Sequence, residues 1–295
     1  MSRWIALGLL TGRKTSRFPD APDLEAEAPT TVTVITSALT PELAIQGAEA
    51  CPTGALVATG DGEEGGLEVD LGQCILCAGC IRAAPEAFRW GAEAETAVRR
   101  RERLRASIAW RRGRMVVAPT ASAPNGGGEA VGEGRCPDDR LRRAADELHR
   151  RSRRLFGRSL HIRHIDVGSC DGCESELQLL ASPSYDLSRL GLFFTPSPRH
   201  ADALLVTGVV TRQMEQPLLE TYRALPEPKL VVAAGVCALG GGSFAGGLAT
   251  RGPLDHLLPV DVYVPGCPPP PLTLLHGLLL AVGRAEERLH ILEER

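Results

Sequence analysis

The residues able to do chemistry in this chain of 295 amino acids are its cysteines, nine of them, at positions 51, 74, 77, 80, 136, 170, 173, 237 and 267. The first 30 residues hold no apolar segment with a small-residue cleavage site and no twin-arginine pair, so export is not expected. An odd number of thiols in that setting suits metal ligation or redox centres better than disulfides. Eight of the nine fall into two sets of four. Cys51-Pro52-Thr53-Gly54-Ala55 goes with Cys74, Cys77 and Cys80, whose i, i+3, i+6 spacing fits the corner of a 4Fe-4S cubane better than the paired C-x2-C knuckles of a structural zinc site. The second set comes from Gly168-Ser169-Cys170-Asp171-Gly172-Cys173-Glu174, Gly235-Val236-Cys237-Ala238 and Val264-Pro265-Gly266-Cys267-Pro268-Pro269-Pro270-Pro271. Four thiolates from three loops suit one further 4Fe-4S cluster, with adjacent glycines letting backbone N–H groups approach the sulfurs.

The spacing of the first set carries more information when its gaps are read. In a two-cluster bacterial ferredoxin each C-x2-C-x2-C run gives three ligands to one cluster, and the fourth cysteine, before a proline, ligates the other. Counting back from Cys51, the positions that would complete a second run are Pro41, Ala44 and Gly47; counting forward from Cys80, the fourth position is Ala84, before Pro85. One whole ligand set is therefore gone and the other, Cys51, Cys74, Cys77 and Cys80, is whole. That is the pattern left when a two-cluster ferredoxin loses one cluster as a unit.

Other candidates carry less. The glycines after Cys237 match neither G-x-x-x-x-G-K-[ST] nor G-x-G-x-x-G, which argues against a nucleotide site, and Cys170/Cys173 as a dithiol pair is disfavoured by Cys237 and Cys267 in equivalent loops. Cys136 has no companion at ligand spacing and reads as a free thiol. His161 and His164, on the strand leading to Cys170, read as satisfied strand histidines rather than proton carriers. Glu174 and Glu176 flank the same loop, where capping or surface roles outweigh a place in a proton path.

These loops need elements to hold them. From Ser159 onward, strand candidates Leu160 to Val167, Ala203 to Val206, Leu230 to Ala233 and Val260 to Val264 alternate with helical stretches Glu174 to Leu180, Met214 to Leu225 and Leu272 to Val282. The fold class expected is α/β: an open, mostly parallel, flavodoxin-like sheet, with every cysteine loop at a strand's carboxyl end. A small α+β ferredoxin-like domain precedes it, with a strand at Thr31 to Thr36 and a helix from Pro41 to Ala50. The boundaries expected are 1–30 for an N-terminal arm, 31–91 for the ferredoxin-like domain, 92–158 for an Arg-rich, Gly-containing linker or helical segment, and 159–295 for the second cluster domain. Of 33 basic residues, eight arginines lie between Arg99 and Arg114 and eight between Arg140 and Arg158, read as a solvated or partner-facing helix surface. No nucleic acid is expected: 33 basic against 36 acidic side chains give a net charge of -3, and aromatics are 4%. No apolar run reaches the roughly 18 residues of a membrane span, so membrane association would be peripheral, through a partner.

The region from Ser159 to Arg284 resembles the small, cluster-bearing subunit shared by membrane-bound NiFe hydrogenases of the formate hydrogenlyase type and the 20 kDa subunit of respiratory complex I. The resemblance runs through Gly168 to Glu174, Pro198-Arg199-His200-Ala201-Asp202 to Thr207-Gly208, Gly235 to Ala238 and Val264 to Pro269. Complex I subunits carry two adjacent cysteines in the first loop, whereas Cys170 and Cys173 are separated by two residues, as in the hydrogenases. Residues up to about 90 are similar to the ferredoxin-like subunit of the same complexes, including Gly8 to Pro19 and Leu71-Gly72-Gln73-Cys74-Ile75-Leu76-Cys77, so the chain resembles a fusion of two subunits that are usually separate. The resemblance implies an electron-transfer subunit of an oxidoreductase complex with two 4Fe-4S clusters, the Cys170 cluster lying proximal to a hydrogenase-like large subunit that carries any NiFe centre. It also implies other subunits of a membrane-bound complex, an external electron donor or acceptor protein, and a position at the cytoplasmic face of the membrane. A complex-I-like enzyme without nickel and a structural or regulatory iron-sulfur protein are the alternatives.

Overall fold

The computed structural model describes Phe18 and residues 29–60, 63–91, 93–111, 114–117 and 159–293. The N-terminal lobe begins with strand β1 (Thr31–Ile35), whose five residues, TVTVI, are all buried. Helix α1 (Pro41–Glu49) starts where the Thr40 side chain accepts from the Leu43 N–H, with proline at the first position and Glu42 in the first turn, all three favourable to a helix N-terminus. Strands β2 (Leu56–Gly60) and β3 (Glu64–Asp70) form an antiparallel hairpin. A 3-10 turn, Leu71–Gln73, and the short helix α2 (Gly79–Ala83) then bracket Cys74 and Cys77. Strand β4 (Phe88–Gly91) returns antiparallel to β1.

The next segment differs from the expected linker or helix. Residues Arg105–Arg111 form β5, which pairs antiparallel with the whole of β3, and Arg114–Val117 form β6 beyond it, giving a four-stranded sheet in the order β2-β3-β5-β6. The reason is period-two patterning inside the arginine run: Ala106, Ile108 and Trp110 are buried while Arg105, Ser107, Ala109 and Arg111 face out. Nor are these arginines merely a solvated face. Arg101 grips Asp70 with both terminal nitrogens at 2.7 and 2.9 Å, Arg105 reaches the same carboxylate at 3.0 Å, and Arg103 lies 3.5 Å from Glu287. The glycine-rich stretch and the second arginine group, within 118–158, lie outside the described residues, as does most of the expected N-terminal arm.

The C-terminal lobe is the α/β sheet that the pattern predicted. Strands β7 (Leu160–Asp166), β8 (Leu192–Phe194), β9 (Ala203–Thr207), β10 (Leu230–Ala234) and β11 (Val262–Val264) are all parallel, in the order β11-β10-β9-β7-β8. That is the flavodoxin-like order, with its switch point between β7 and β9. Helices α3 (Gly172–Leu179), α4 (Glu215–Ala224), α5 (Val236–Gly240) and α6 (Pro271–Ala281) connect and cover the strands. Every residue of α6 is buried, which explains why it is apolar all round. Each fully buried leucine there contributes roughly 1.5–3 kcal/mol.

Three features join the lobes. A two-residue strand β12 (Leu292–Glu293) pairs parallel with β1, Val34 opposite Leu292. Val98 and Tyr263 exchange both backbone hydrogen bonds at 3.0 and 2.7 Å. His276 of α6, fully buried, accepts the Ala97 N–H at Nδ1 (3.2 Å) and donates from Nε2 to the Glu286 carbonyl (2.8 Å). One hydrophobic cluster accordingly runs from Val32, Phe88 and Ile108 in the first lobe to Val206, Leu239 and Tyr263 in the second.

Candidate metal centres

In the first lobe Cys51 follows the end of α1, its N–H bonded to the Ala48 carbonyl at 3.0 Å. Thr53 then donates its hydroxyl to the Gln73 carbonyl at 2.8 Å, tying this loop to the residue before Cys74. Between Cys74 and Cys80 the chain twice enters the left-handed region without glycine, at Leu76 (φ 56°) and Ala78 (φ 61°). Such a residue costs about 1–2 kcal/mol of backbone strain. At this turn the Leu76 backbone N–H bonds to Cys74, and backbone N–H groups aimed at a negative sulfur are the kind used at many anionic and iron-sulfur sites. Cys51, Cys74, Cys77 and Cys80 line one pocket with Val32, Leu56, Val69, Leu71 and Ile75. Burial pushes the Cys74 thiol up to about 12 and Cys80 up to about 11, the neighbouring cysteines adding to both. Thiolates in such walls need a cationic partner, and iron supplies one.

The positions of the missing ligand set are filled. Pro41, Ala44, Gly47 and Ala84 are all buried, and a Cβ on Gly47 would lie 2.4 Å from the ring of Phe88, which is wholly buried. An aromatic core side chain packs beside positions where ligands would stand.

In the second lobe the three predicted loops do converge. Asp166, ending β7, accepts the N–H groups of Gly168 and Ser169 at 2.8 Å each and turns the chain toward Cys170. Asp171 is left-handed at φ 69°, so three of the four non-glycine residues with positive φ among those described sit in cysteine loops. Cys173 is the second residue of α3, Cys237 the second residue of α5 after β10, and Cys267 follows β11. Burial raises the Cys173 thiol, with Glu174, Cys237, Cys267 and Cys170 adding their charge; it pushes Cys237 up to about 11 and raises Cys267 as well. The four sulfurs thus act on one another. The backbone is cut to fit them: a Cβ at Gly235 would lie 2.6 Å from the Cys173 sulfur, and one at Gly242 would lie 2.9 Å from the Cys237 sulfur. Among the described residues, no three His, Cys, Asp or Glu side chains are grouped closely enough to share a single metal ion. The residues that would hold a multi-iron group are the two all-cysteine quartets, whose donor chemistry would suit a 4Fe-4S centre.

Beside Cys173 lies a polar chain that the sequence disclosed only in part. Glu174 accepts from the Ser169 hydroxyl at 2.7 Å and from the Thr207 hydroxyl, and Thr207 is 2.8 Å from His164 Nε2. Glu174 therefore holds the loop to β9 rather than capping α3. Thr207 was marked only as the end of the resembling stretch that runs to Thr207-Gly208, with no role given, and Asp166 had no motif; their place at the carboxyl ends of β9 and β7 was the available signal. His164 is a satisfied strand histidine whose burial lowers its pKa, while His161 stacks on Phe193 with ring centroids 5.7 Å apart. Burial raises the pKa of Glu176. Cys136 lies outside the described residues.

Comparison with known proteins bears on the second quartet. Residues 170–281, which include Cys170, Cys173, Cys237 and Cys267, match the family model described as NADH ubiquinone oxidoreductase, 20 Kd subunit. Formate hydrogenlyase subunit 7 of Escherichia coli is 44% identical over 133 residues, 45% of this chain and 52% of that protein, so the chain spans about half of that relative's length. A probable membrane-bound hydrogenase subunit of Pyrococcus furiosus is 46% identical over 131 residues, covering 44% of this chain and 78% of the relative. Among solved structures, a chain of an archaeal membrane-bound sulfane sulfur reductase is similar with 35% identity and a TM-score of 0.40, covering 44% of this chain and 72% of that one. With a match running through all three cysteine loops of the parallel-sheet lobe, and a hydrogenase subunit 46% identical over 78% of its own length, the chain belongs to the family of the NADH ubiquinone oxidoreductase 20 Kd subunit, whose relatives here include hydrogenase subunits.

Proposed function

We propose that this chain is an electron-transfer subunit of a membrane-associated, multi-subunit NiFe hydrogenase of the formate hydrogenlyase type. In this reading Cys51, Cys74, Cys77 and Cys80 hold a ferredoxin-like 4Fe-4S cluster, and Cys170, Cys173, Cys237 and Cys267 hold a proximal one next to a hydrogenase-like large subunit. The observation that carries it is the pair of complete cysteine quartets, with left-handed non-glycine residues in their loops at Leu76, Ala78 and Asp171. When bound, such clusters supply one-electron carriers whose chemistry is the cofactor's own. The protein's part is to set their ligands, distance and surroundings.

Exposure of Cys170 and of the apolar residues Phe244 and Leu248, on the loop that follows Cys237, supports this face as the seat of the large subunit. Cys77, exposed on the other lobe, supports access there for an external donor or acceptor protein. No helix among the described residues is long and apolar enough to cross a membrane; in this reading the chain is attached through partner subunits, at the cytoplasmic face. The family's complex I members support a second reading, a complex-I-like oxidoreductase without nickel. Nickel analysis of the purified complex separates the two.

The test of the relay is Cys77→Ser in the assembled complex. Exchange chemistry that needs only the large subunit's centre, such as hydrogen-deuterium exchange, should survive, while transfer to an external protein should fall sharply. Near-parental external transfer with that cluster verifiably absent would make the first lobe structural and overturn the relay.

A further inference from the structure

Resting on the reading that both quartets hold clusters, we propose that the backbone contact between Gly72 and Gly240 is the positioning device that sets the separation of the two centres. Gly72 is the middle residue of the 3-10 turn that leads directly into Cys74, and Gly240 ends helix α5, whose second residue is Cys237. A Cβ on Gly240 would lie 2.7 Å from the Gly72 carbonyl oxygen and 3.0 Å from Gln73 Cγ. Neither glycine is among the residues with positive φ, so conformational freedom is not what they supply; close approach is.

The turn is held from its other side as well. Asp70 accepts the Gly72 N–H at 2.9 Å while Arg101 grips the same carboxylate, and a Cβ on Gly72 would meet the Arg101 guanidinium at 2.4 Å. Thr53 anchors Gln73, so the Cys51 loop moves with the turn. Across the contact, Gly240 is three residues from Cys237, roughly 4.5 Å along the helix axis. Leu71, Ala238 and Leu239 are buried in one hydrophobic cluster around the junction, which keeps water out of it. A continuous protein route between the quartets therefore runs from Cys74 through Gln73 and Gly72, across a van der Waals step, and along one helical turn to Cys237. No flexible tether sets the gap; packed backbone does.

The experiment uses the full chain with its iron-sulfur content reconstituted and both centres reduced. The unsubstituted chain should carry about eight irons from two 4Fe-4S centres, and its low-temperature paramagnetic resonance should show spin-spin interaction between them. Gly240→Val, which must separate turn from helix, should keep both sets of signals and lose that interaction, with slower electron equilibration between the centres. Arg101→Met, which frees the turn without adding bulk at the junction, should weaken the interaction in the same direction. An unsubstituted chain with two centres that do not interact overturns the proposal. So does a Gly240→Val chain with both centres and undiminished interaction. Fewer than two centres in the unsubstituted chain overturns the cluster reading itself, and this inference with it.

Discussion

Gly235→Ala tests how tightly the second quartet is tailored. Gly235 sits at φ 84°, where an alanine costs about 1–2 kcal/mol, and the new methyl would lie 2.6 Å from the Cys173 sulfur. Ordinary contact needs about 3.5–4.0 Å, so sulfur and backbone must part by roughly 1 Å. Ligand distances at a metal tolerate only about 0.2 Å. The displacement exceeds that tolerance several-fold, and the Gly266 carbonyl and Pro269, 3.7 and 3.8 Å from the same point, leave little room to yield. We expect iron and acid-labile sulfide to fall from about eight to about four per chain, with the signal of the Cys51 centre retained because its ligands lie on another lobe. Retention of that signal separates a local effect from general misfolding. A variant with its full iron complement and two unaltered signals would refute the tailoring argument.

Four further outcomes can be measured. His276→Ala should destabilise the chain by roughly 2–4 kcal/mol, since it leaves the buried Ala97 N–H without its acceptor and opens a cavity under α6; denaturant unfolding measures it. Burial lowers the pKa of His276, with Glu286, Glu95 and Glu287 pulling it up and Arg288 down, so its neutral form contributes stability that is complete above the unfolded value near 6.5 and is lost as pH falls through the lower folded value; melting curves of parent and His276→Leu chains should converge on acidification. Asp261, raised by burial from 3.8 to about 6 despite its bond from the Val231 N–H and the charge of Arg99, acts in the opposite direction. Its contribution is present at low pH and lost as pH rises through about 6, so Asp261→Asn should be more stable than the parent at pH 7.5, by up to roughly 3 kcal/mol, and show no such gain at pH 4. Cys136→Ala should retain both centres and the parental electron-transfer rate, and loss of either signal would mean that a ligand has been misassigned.

The parallel-sheet lobe was legible because its strands are short, apolar and regularly spaced, and because a buried parallel sheet leaves little ambiguity about which residues point inward. The strand order and the place of the cysteine loops at its carboxyl edge followed. The edge strand β8, three residues long with Phe193 and Phe194 exposed, offered no such run. The first lobe was legible at its cysteines and opaque beyond Gly91. There the arginines that dominate the composition of 99–114 concealed the alternation of Ala106, Ile108 and Trp110, since charge density pointed to a solvated surface while the period of two was the stronger physical signal. Non-local pairing explains the remainder: β12 is two residues long and takes its meaning only from β1, more than 250 residues away.

The same non-local pairing bears on how one chain can carry what the resemblance treats as two subunits. A tether alone would leave two lobes with an interface of ordinary, movable character. Here the segment after β4 threads between the lobes, giving Val98 to Tyr263 and Ala97 to His276 before Arg101 closes on Asp70, and the chain's end returns to lie along β1. Arg99 adds a bond from its backbone N–H to Glu287 at 2.8 Å, and Arg103 a longer ion pair to the same residue. A partly exposed ion pair such as Arg103–Glu287 contributes little singly, about 0–1 kcal/mol. The value of these contacts lies in register: each fixes the strap at one point along its length, so that the turn before Cys74 meets the helix after Cys237 in a single arrangement. Covalent continuity between the lobes supplies proximity, and the strap converts proximity into a defined distance.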